Sequence, residues 1–214
     1  PFTRESLAWI AAVYVDQRAG RAWRDLQDTT NQPIMAYRKS RAHPTWQRGV
    51  DYYSEGLLLW LDVDAQLRAL TRERRSLDDF AVKFFGVQDG ELGPLNYTFD
   101  DVVATLEVIA PHDWRGFLRS RLDANGGTVA SSVVGAEWPL SGIVRGGWRL
   151  VYDDKPNDYA ASIERGGGVR NHSFSLGLTI AREAARISEV VWDSPAFRAG
   201  ASAGMQLVAV NGHA

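Results

Sequence analysis

Apolar residues recur every three or four positions through most of the first 122 residues, which is the spacing of one face of an α-helix. Leu7, Ile10 and Tyr14 follow this spacing, and Gly20 is the predicted end of their helix. Residues 21–49 contain proline and glycine breakers and predict an extended connection.

A second helix is predicted over residues 51–70. One face of this predicted helix carries Tyr53, Leu57, Trp60, Leu61 and Leu67. The run 57–61 is apolar on every side, which favours a helix buried in a larger core.

Two capping patterns predict further helix starts. Ser76 precedes Asp79 by three positions, and Thr98 precedes Asp101 by the same interval. In such a box the hydroxyl and the carboxylate satisfy backbone amides that the first helical turn leaves unpaired. Another helix is predicted over residues 113–122, closed by Asn-Gly-Gly at 125–127.

The pattern of residue types changes after residue 127, where short β-prone runs alternate with glycine. The runs are 128–134, 143–144, 148–152, 174–180, 187–192 and 206–210, with a short helix near 195–199 and a turn at 211–212. The glycines at 166–168 are predicted to form a flexible joint. The chain is therefore predicted to be α+β, with a helical domain over 1–127, a β-rich linker over 128–172 and a small unit over 173–214.

Composition narrows the classes of function. The chain has 214 residues and a net charge of −2, which gives no electrostatic support for nucleic-acid binding. Its apolar runs are far shorter than the roughly 18 residues of a membrane span. There is no cysteine, and no two of the four histidines lie four residues apart, so a catalytic zinc site built from this chain alone is not expected.

Two sets of segments resemble a known family. The first set is Asp-Tyr-Tyr-Ser-Glu-Gly-Leu-Leu-Leu-Trp-Leu-Asp-Val-Asp at 51–64, together with residues 74–80, 84–86, 23–30 and 46–48. The second set is Phe-Ser-Leu-Gly-Leu at 174–178, together with residues 192–200 and 204–212. The first set resembles the C-terminal part of the catalytic domain of glycyl aminopeptidase-type metallopeptidases, which are gluzincins with a thermolysin-like zinc site. The second resembles the PDZ domain appended to the same enzymes.

The resemblance implies a fragment of a zinc aminopeptidase that hydrolyses peptides with a small N-terminal residue, glycine or alanine. In that family the zinc is held by HExxH and a downstream glutamate, all preceding the region that resembles this chain. The chain is therefore expected to be truncated at both ends, to bind no zinc itself and to be inactive when isolated. Export or a periplasmic location is implied only by the resemblance.

The resemblance points to Tyr53 as a catalytic residue. Residues 53–56, Tyr-Ser-Glu-Gly, are similar to a Tyr-Ser-Lys-Gly-like motif of related aminopeptidases, whose tyrosine hydroxyl points at the oxyanion. A phenol is neutral at pH 7 and donates one directional hydrogen bond. Glu55 replaces the lysine of the motif, which places a negative charge close to Tyr53 in sequence where the motif has a positive one. From periodicity alone, Tyr53 is a core aromatic residue of the helix over 51–70.

The second set implies a peptide-binding loop at Ser175, Leu176, Gly177 and Leu178. In PDZ domains the amides of this loop bind a peptide carboxylate, and the strand that follows pairs with the peptide. Gly177 would permit a close backbone approach. The competing hypothesis is a non-catalytic interaction protein, a helical domain joined to a peptide-binding module.

Other polar residues predict structural roles. His112 and Asp113 follow Pro111 and are predicted to cap a helix. Asp62 and Asp64 lie two positions apart, so they do not share a helix face and are interpreted as surface or interhelix contacts rather than a carboxylate pair.

Overall fold

The computed structural model describes residues 2–31, 43–87, 90, 93–124, 137–155 and 157–213. Helices and one antiparallel sheet make up its regular structure, which confirms the α+β class. The chain divides into two compact units, unit 1 over Pro1–Asp51 and Leu150–Ala214, and unit 2 over Tyr52–Arg149. In unit 1 the N-terminal segment packs with the C-terminal one.

The regular elements fall at these positions. The α-helices are α1 (Phe2–Ala12), α2 (Pro44–Gln47), α3 (Ser54–Thr71), α4 (Leu77–Phe85), α5 (Phe99–Ile109), α6 (Trp114–Leu122), α7 (Ser141–Arg145), α8 (Asp158–Gly166) and α9 (Pro195–Arg198); the strands are β1 (Val169–His172), β2 (Leu178–Ala181) and β3 (Arg186–Val190). A π-helical turn (Val13–Gln17) follows α1, and 3₁₀ turns cover Ala19–Ala22 and Gln27–Thr30.

In unit 1, helix α1 packs beside α8. The rings of Phe2 and Tyr159 meet edge to face at 5.3 Å, and the Glu5 carboxylate accepts from the Tyr159 amide at 3.1 Å. The Thr45 hydroxyl accepts from the Trp192 amide at 2.9 Å. Segments about 150 residues apart in sequence thus close into one unit.

The sheet of unit 1 has the order β1-β2-β3, with both pairs antiparallel. His172 lies opposite Leu178, and Leu178 lies opposite Val190. Ile187 and Val190 on β3 form a small core with Ala196. The strands predicted over 174–180 and 187–192 are confirmed in part, because residues 173–177 form a turn and β2 begins at Leu178.

Unit 2 is helical in its described residues, and its predicted helix starts are confirmed. Both capping boxes form, with Ser76 and Asp79 opening α4 and Thr98 and Asp101 opening α5. The Asp113 carboxylate accepts from the Gly116 amide at 2.8 Å, so Asp113 caps α6 as predicted.

The buried face of α3 agrees with the predicted one at Leu67 and differs from it elsewhere. Leu57 is 46% exposed, and Trp60 and Leu61 are only partly buried. The buried residues are Glu55, Leu58, Leu59, Asp62, Val63, Ala65, Gln66 and Leu67. The prediction failed because it placed only apolar residues on the core side, whereas Glu55 and Asp62 lie inside.

Two of the β-prone runs predicted between residues 128 and 172 are not strands. Ile143 and Val144 are helical, since α7 packs closely on α3 and a Cβ at Gly142 would overlap the backbone of Asp62. Residues 148–152 form no strand, and residues 128–134 lie outside the described part.

The glycines at 166–168 are not a free joint. Gly166 ends α8, and Gly168, at φ +60°, turns the chain into β1. The start of α8 had a signal in the sequence, since the Asn157 side chain caps it by accepting from the Ala160 amide at 2.8 Å.

The N-terminal segment also departs from expectation. Regular α-helix ends at Ala12 and continues as the π-helical turn to Gln17, short of the predicted end at Gly20. The expected extended connection over 21–49 instead contains two short helical segments among its described residues, Gln27–Thr30 and α2.

Candidate functional site

Tyr53 lies at the start of α3 and is exposed. Its carbonyl accepts the first helical hydrogen bond, from the Leu57 amide at 3.1 Å. The side chain is 67% exposed. The interpretation of Tyr53 as a core aromatic residue is therefore wrong.

The residues beside Tyr53 hold its ring and separate it from the nearby acid. Tyr52 lies against Tyr53, with ring centroids 4.6 Å apart and a tilt of 37°. Glu55 is buried with 1% of its surface exposed. Two positions apart on a helix, Glu55 and Tyr53 project in nearly opposite directions, so the carboxylate does not face the phenol.

The loop at 175–177 has its amides engaged. The amides of Ser175, Leu176 and Gly177 all donate to the carbonyl of His172, at 3.2, 3.0 and 2.8 Å. These are the amides that the sequence assigned to a peptide carboxylate. In this conformation a carbonyl of the same chain holds them.

Leu178 begins the central strand of the sheet. Strand β2 pairs with β1 on one side and with β3 on the other. A peptide that added to β2 as a further strand would have to displace one of these neighbours.

Gly177 is fixed by its backbone and by its neighbour. Its φ is +82°, a conformation that favours glycine. A Cβ at this position would overlap the side chain of Ser194. The close approach predicted for Gly177 is thus made to the protein itself.

A buried ion-pair network in unit 2 was missed at the sequence level. Asp62 is wholly buried; its carboxylate accepts from Arg121 at 2.7 Å and from the Ser141 hydroxyl at 2.6 Å. Arg145 lies 3.2 Å from the other carboxylate oxygen. Asp62 is therefore an interhelix contact, one of the two roles predicted for it.

The same core sets the protonation state of His112. Burial lowers the pKa of His112, and the charge of Asp113 opposes that shift. The imidazole is accordingly neutral at pH 7.

A metal site does not assemble in the described part of the chain. Three or more histidine, aspartate or glutamate side chains in metal-binding arrangement are not found there.

A cleft in unit 1 was also missed. It brings together Asp16, Tyr152, Phe174 and Trp192, which come from four separate segments. No local spacing links these residues, so the sequence carried no signal for the cleft.

In comparisons with known proteins, neither a family model nor a curated protein matches this chain. Among the described helices, none combines the length and the apolar character needed to cross a membrane.

Proposed function

We propose that this chain is the C-terminal portion of a zinc-dependent aminopeptidase, in which Tyr53 stabilises the oxyanion of the reaction. The observation that carries the proposal is the exposed phenol at the start of α3. A tyrosine that served only the core would be buried on the apolar face, as Leu58 and Leu59 are.

The arrangement around Tyr53 suits hydrogen bonding to a developing negative charge. The phenol is neutral and can donate a hydrogen bond, and its ring lies tilted against that of Tyr52. Glu55 lies on the inner side of the helix, so it adds little repulsion against an oxyanion beside Tyr53. In the parent enzyme a zinc ion, held by residues outside this chain, would activate the attacking water.

The substrates proposed are peptides with a small N-terminal residue, and they rest on the family resemblance alone. The segment from residue 173 would serve as a peptide-binding module of PDZ type. For a peptide to pair with β2, strand β1 and the turn at His172 would have to separate from it.

Replacing Tyr53 by phenylalanine in the full native polypeptide tests the catalytic role. We expect kcat on a glycyl or alanyl arylamide to fall by about 10²–10³, with little change in KM, because only the transition state loses a donor. Tyr97→Phe is the matched control, since Tyr97 is another exposed tyrosine of unit 2, at 63%.

Three outcomes separate the hypotheses. Near-normal kcat in Tyr53→Phe would remove Tyr53 from the mechanism while leaving the aminopeptidase class standing. A native polypeptide without bound zinc and without aminopeptidase activity would reject the enzyme class. Binding of C-terminal peptides by that metal-free polypeptide would support the interaction protein instead.

A further inference from the structure

The cleft of unit 1 has a volume of ≈ 540 Å³ and combines carboxylates with aromatic rings. Among its lining residues are Asp16, Tyr152, Phe174, Trp192 and Asp193. The described residues that line it include no lysine, arginine or histidine. The charged groups that line it are therefore carboxylates, and they lie beside aromatic rings and small polar side chains.

Asp16 is held in place by its neighbours. It lies in the π-helical turn Val13–Gln17, a geometry that occurs often at functional sites. The Tyr152 hydroxyl donates to its carboxylate. Burial and the bond to Asp16 raise the pKa of Tyr152, so the phenol keeps its proton and remains a donor.

The residue after Asp16 is also fixed. Gln17 is buried, and its side-chain amide donates to the Ser173 hydroxyl at 2.9 Å. This bond ties the π-helical turn to the segment that carries Phe174.

The Phe174 and Trp192 rings of the cleft pack against other aromatic rings of unit 1. Phe174 meets Trp9 edge to face at 5.2 Å. Trp192 lies between Trp46, at 5.2 Å, and Phe197, at 4.5 Å. Rings held in this way lose little freedom when a ligand binds against them.

Asp193 supplies a second carboxylate at the rim. Its φ is +58°, which is uncommon for a residue other than glycine. It pairs with Arg198 at 3.6 Å, and both side chains are mostly exposed. Such a surface pair is weak, so the carboxylate can exchange partners.

We infer that this cleft binds an organic cation on an alkyl stem, the guanidinium or ammonium group of an arginine or lysine side chain in a peptide. The cation would pair with Asp16 in a charge-assisted hydrogen bond. Its delocalised charge and its stem would lie against the rings of Phe174 and Tyr152, which are 41% and 57% exposed. An anion would be repelled by both carboxylates. The inference does not rest on the proposed peptidase function, because it uses neither Tyr53 nor the backbone amides of the 175–178 loop, although Ser175 also lines the cleft.

The experiment compares two probes that differ only in charge. Nα-acetyl-arginine methylamide is titrated into the 214-residue chain, followed by tryptophan fluorescence and calorimetry, and Nα-acetyl-citrulline methylamide serves as the uncharged isostere. We expect the arginine probe to bind at least 10-fold more tightly, and its affinity to fall as salt is added. Equal affinities, or no binding of the arginine probe, would overturn the inference.

Variants then locate the site. Asp16→Asn is expected to lower the affinity for the arginine probe about 10-fold. Tyr152→Phe is expected to lower it less, because this variant keeps the Asp16 carboxylate and removes only the hydroxyl that orients it. Asp153→Asn is the matched control, an exposed aspartate next to Tyr152 in sequence but outside the cleft. An equal loss in Asp153→Asn would show a non-specific charge effect and reject the site. If Asp16→Asn does not fold, the probe comparison and Tyr152→Phe still decide the question.

Discussion

At the residue scale, the polar residues of the two units divide into those that the fold needs and those that it leaves available. Asp62 and Glu55 are buried in helix α3, whereas Tyr53 projects outward from its first turn. Burying a charged group is costly unless it is paired, so the partners of Asp62 mark it as structural. An exposed aromatic residue at a helix start has no such structural explanation.

Gly177 offers a test of the turn that precedes β2. We expect Gly177→Ala to lower the free energy of unfolding by more than about 2 kcal/mol, because a positive φ and an overlap with Ser194 act together. Gly200→Ala is the control, since Gly200 has φ +84° but open space around it. Gly200→Ala should lower the free energy of unfolding by about 1 kcal/mol.

Urea unfolding followed by circular dichroism measures both variants. Equal losses in the two would show that only the backbone conformation matters and that the contact with Ser194 does not.

At the element scale, local side-chain chemistry fixes where the helices of unit 2 begin. The Thr98 hydroxyl accepts from the Asp101 amide at 3.3 Å, and the Asp101 carboxylate accepts from the Thr98 amide at 2.7 Å. Such bonds form within four residues and need no tertiary partner. The faces that helices bury do depend on tertiary partners, as α3 demonstrates.

Removing the cap of α5 should be measurable. We expect Thr98→Ala to cost about 1 kcal/mol of unfolding free energy, since it strips the first turn of its hydroxyl acceptor. Thr105→Ala, in the same helix, should be neutral or slightly stabilising because alanine is the better helix former.

The cap also carries a pH dependence. Hydrogen bonds from the Thr98 hydroxyl and amide lower the pKa of Asp101 in the folded protein. The stabilisation from these bonds is therefore fully present above the pKa of Asp101 in the unfolded chain, and it is lost as the pH falls through its lower pKa in the folded state. The difference in unfolding free energy between the wild type and Thr98→Ala should therefore become smaller below about pH 4. A difference that stays constant down to pH 2 in thermal unfolding would contradict this account.

At the scale of the whole molecule, each unit is assembled from distant segments. Asp62 joins α3 to Arg121 on α6 and to Ser141 on α7, which lie 59 and 79 residues further along the chain. Unit 1 joins the N-terminal segment to residues beyond 150 in the same way. No local sequence pattern predicts either of these long-range contacts.

The Asp62 network should dominate the stability of unit 2. We expect Asp62→Ala to cost about 3–5 kcal/mol, because two arginines would be left buried without their carboxylate. Asp123→Ala removes an exposed partner of Arg119 and should cost less than about 1 kcal/mol. Chemical denaturation of both variants checks the difference, and similar costs would argue against a structural role for the network.

The sequence by itself determined the α+β class and the capped helix starts at Ser76, Thr98 and Asp113, whereas Tyr53 became a candidate only through the family resemblance. These features depend on side chains close together in the chain, where spacing is informative. Only the tertiary structure decided that Asp62 and Glu55 lie inside, that the 175–177 amides are held by His172, and that Asp16 meets Trp192 in one cleft. Burial and long-range pairing decide these features, because the free energy of a charged or polar group depends on partners that the chain brings to it only when it folds.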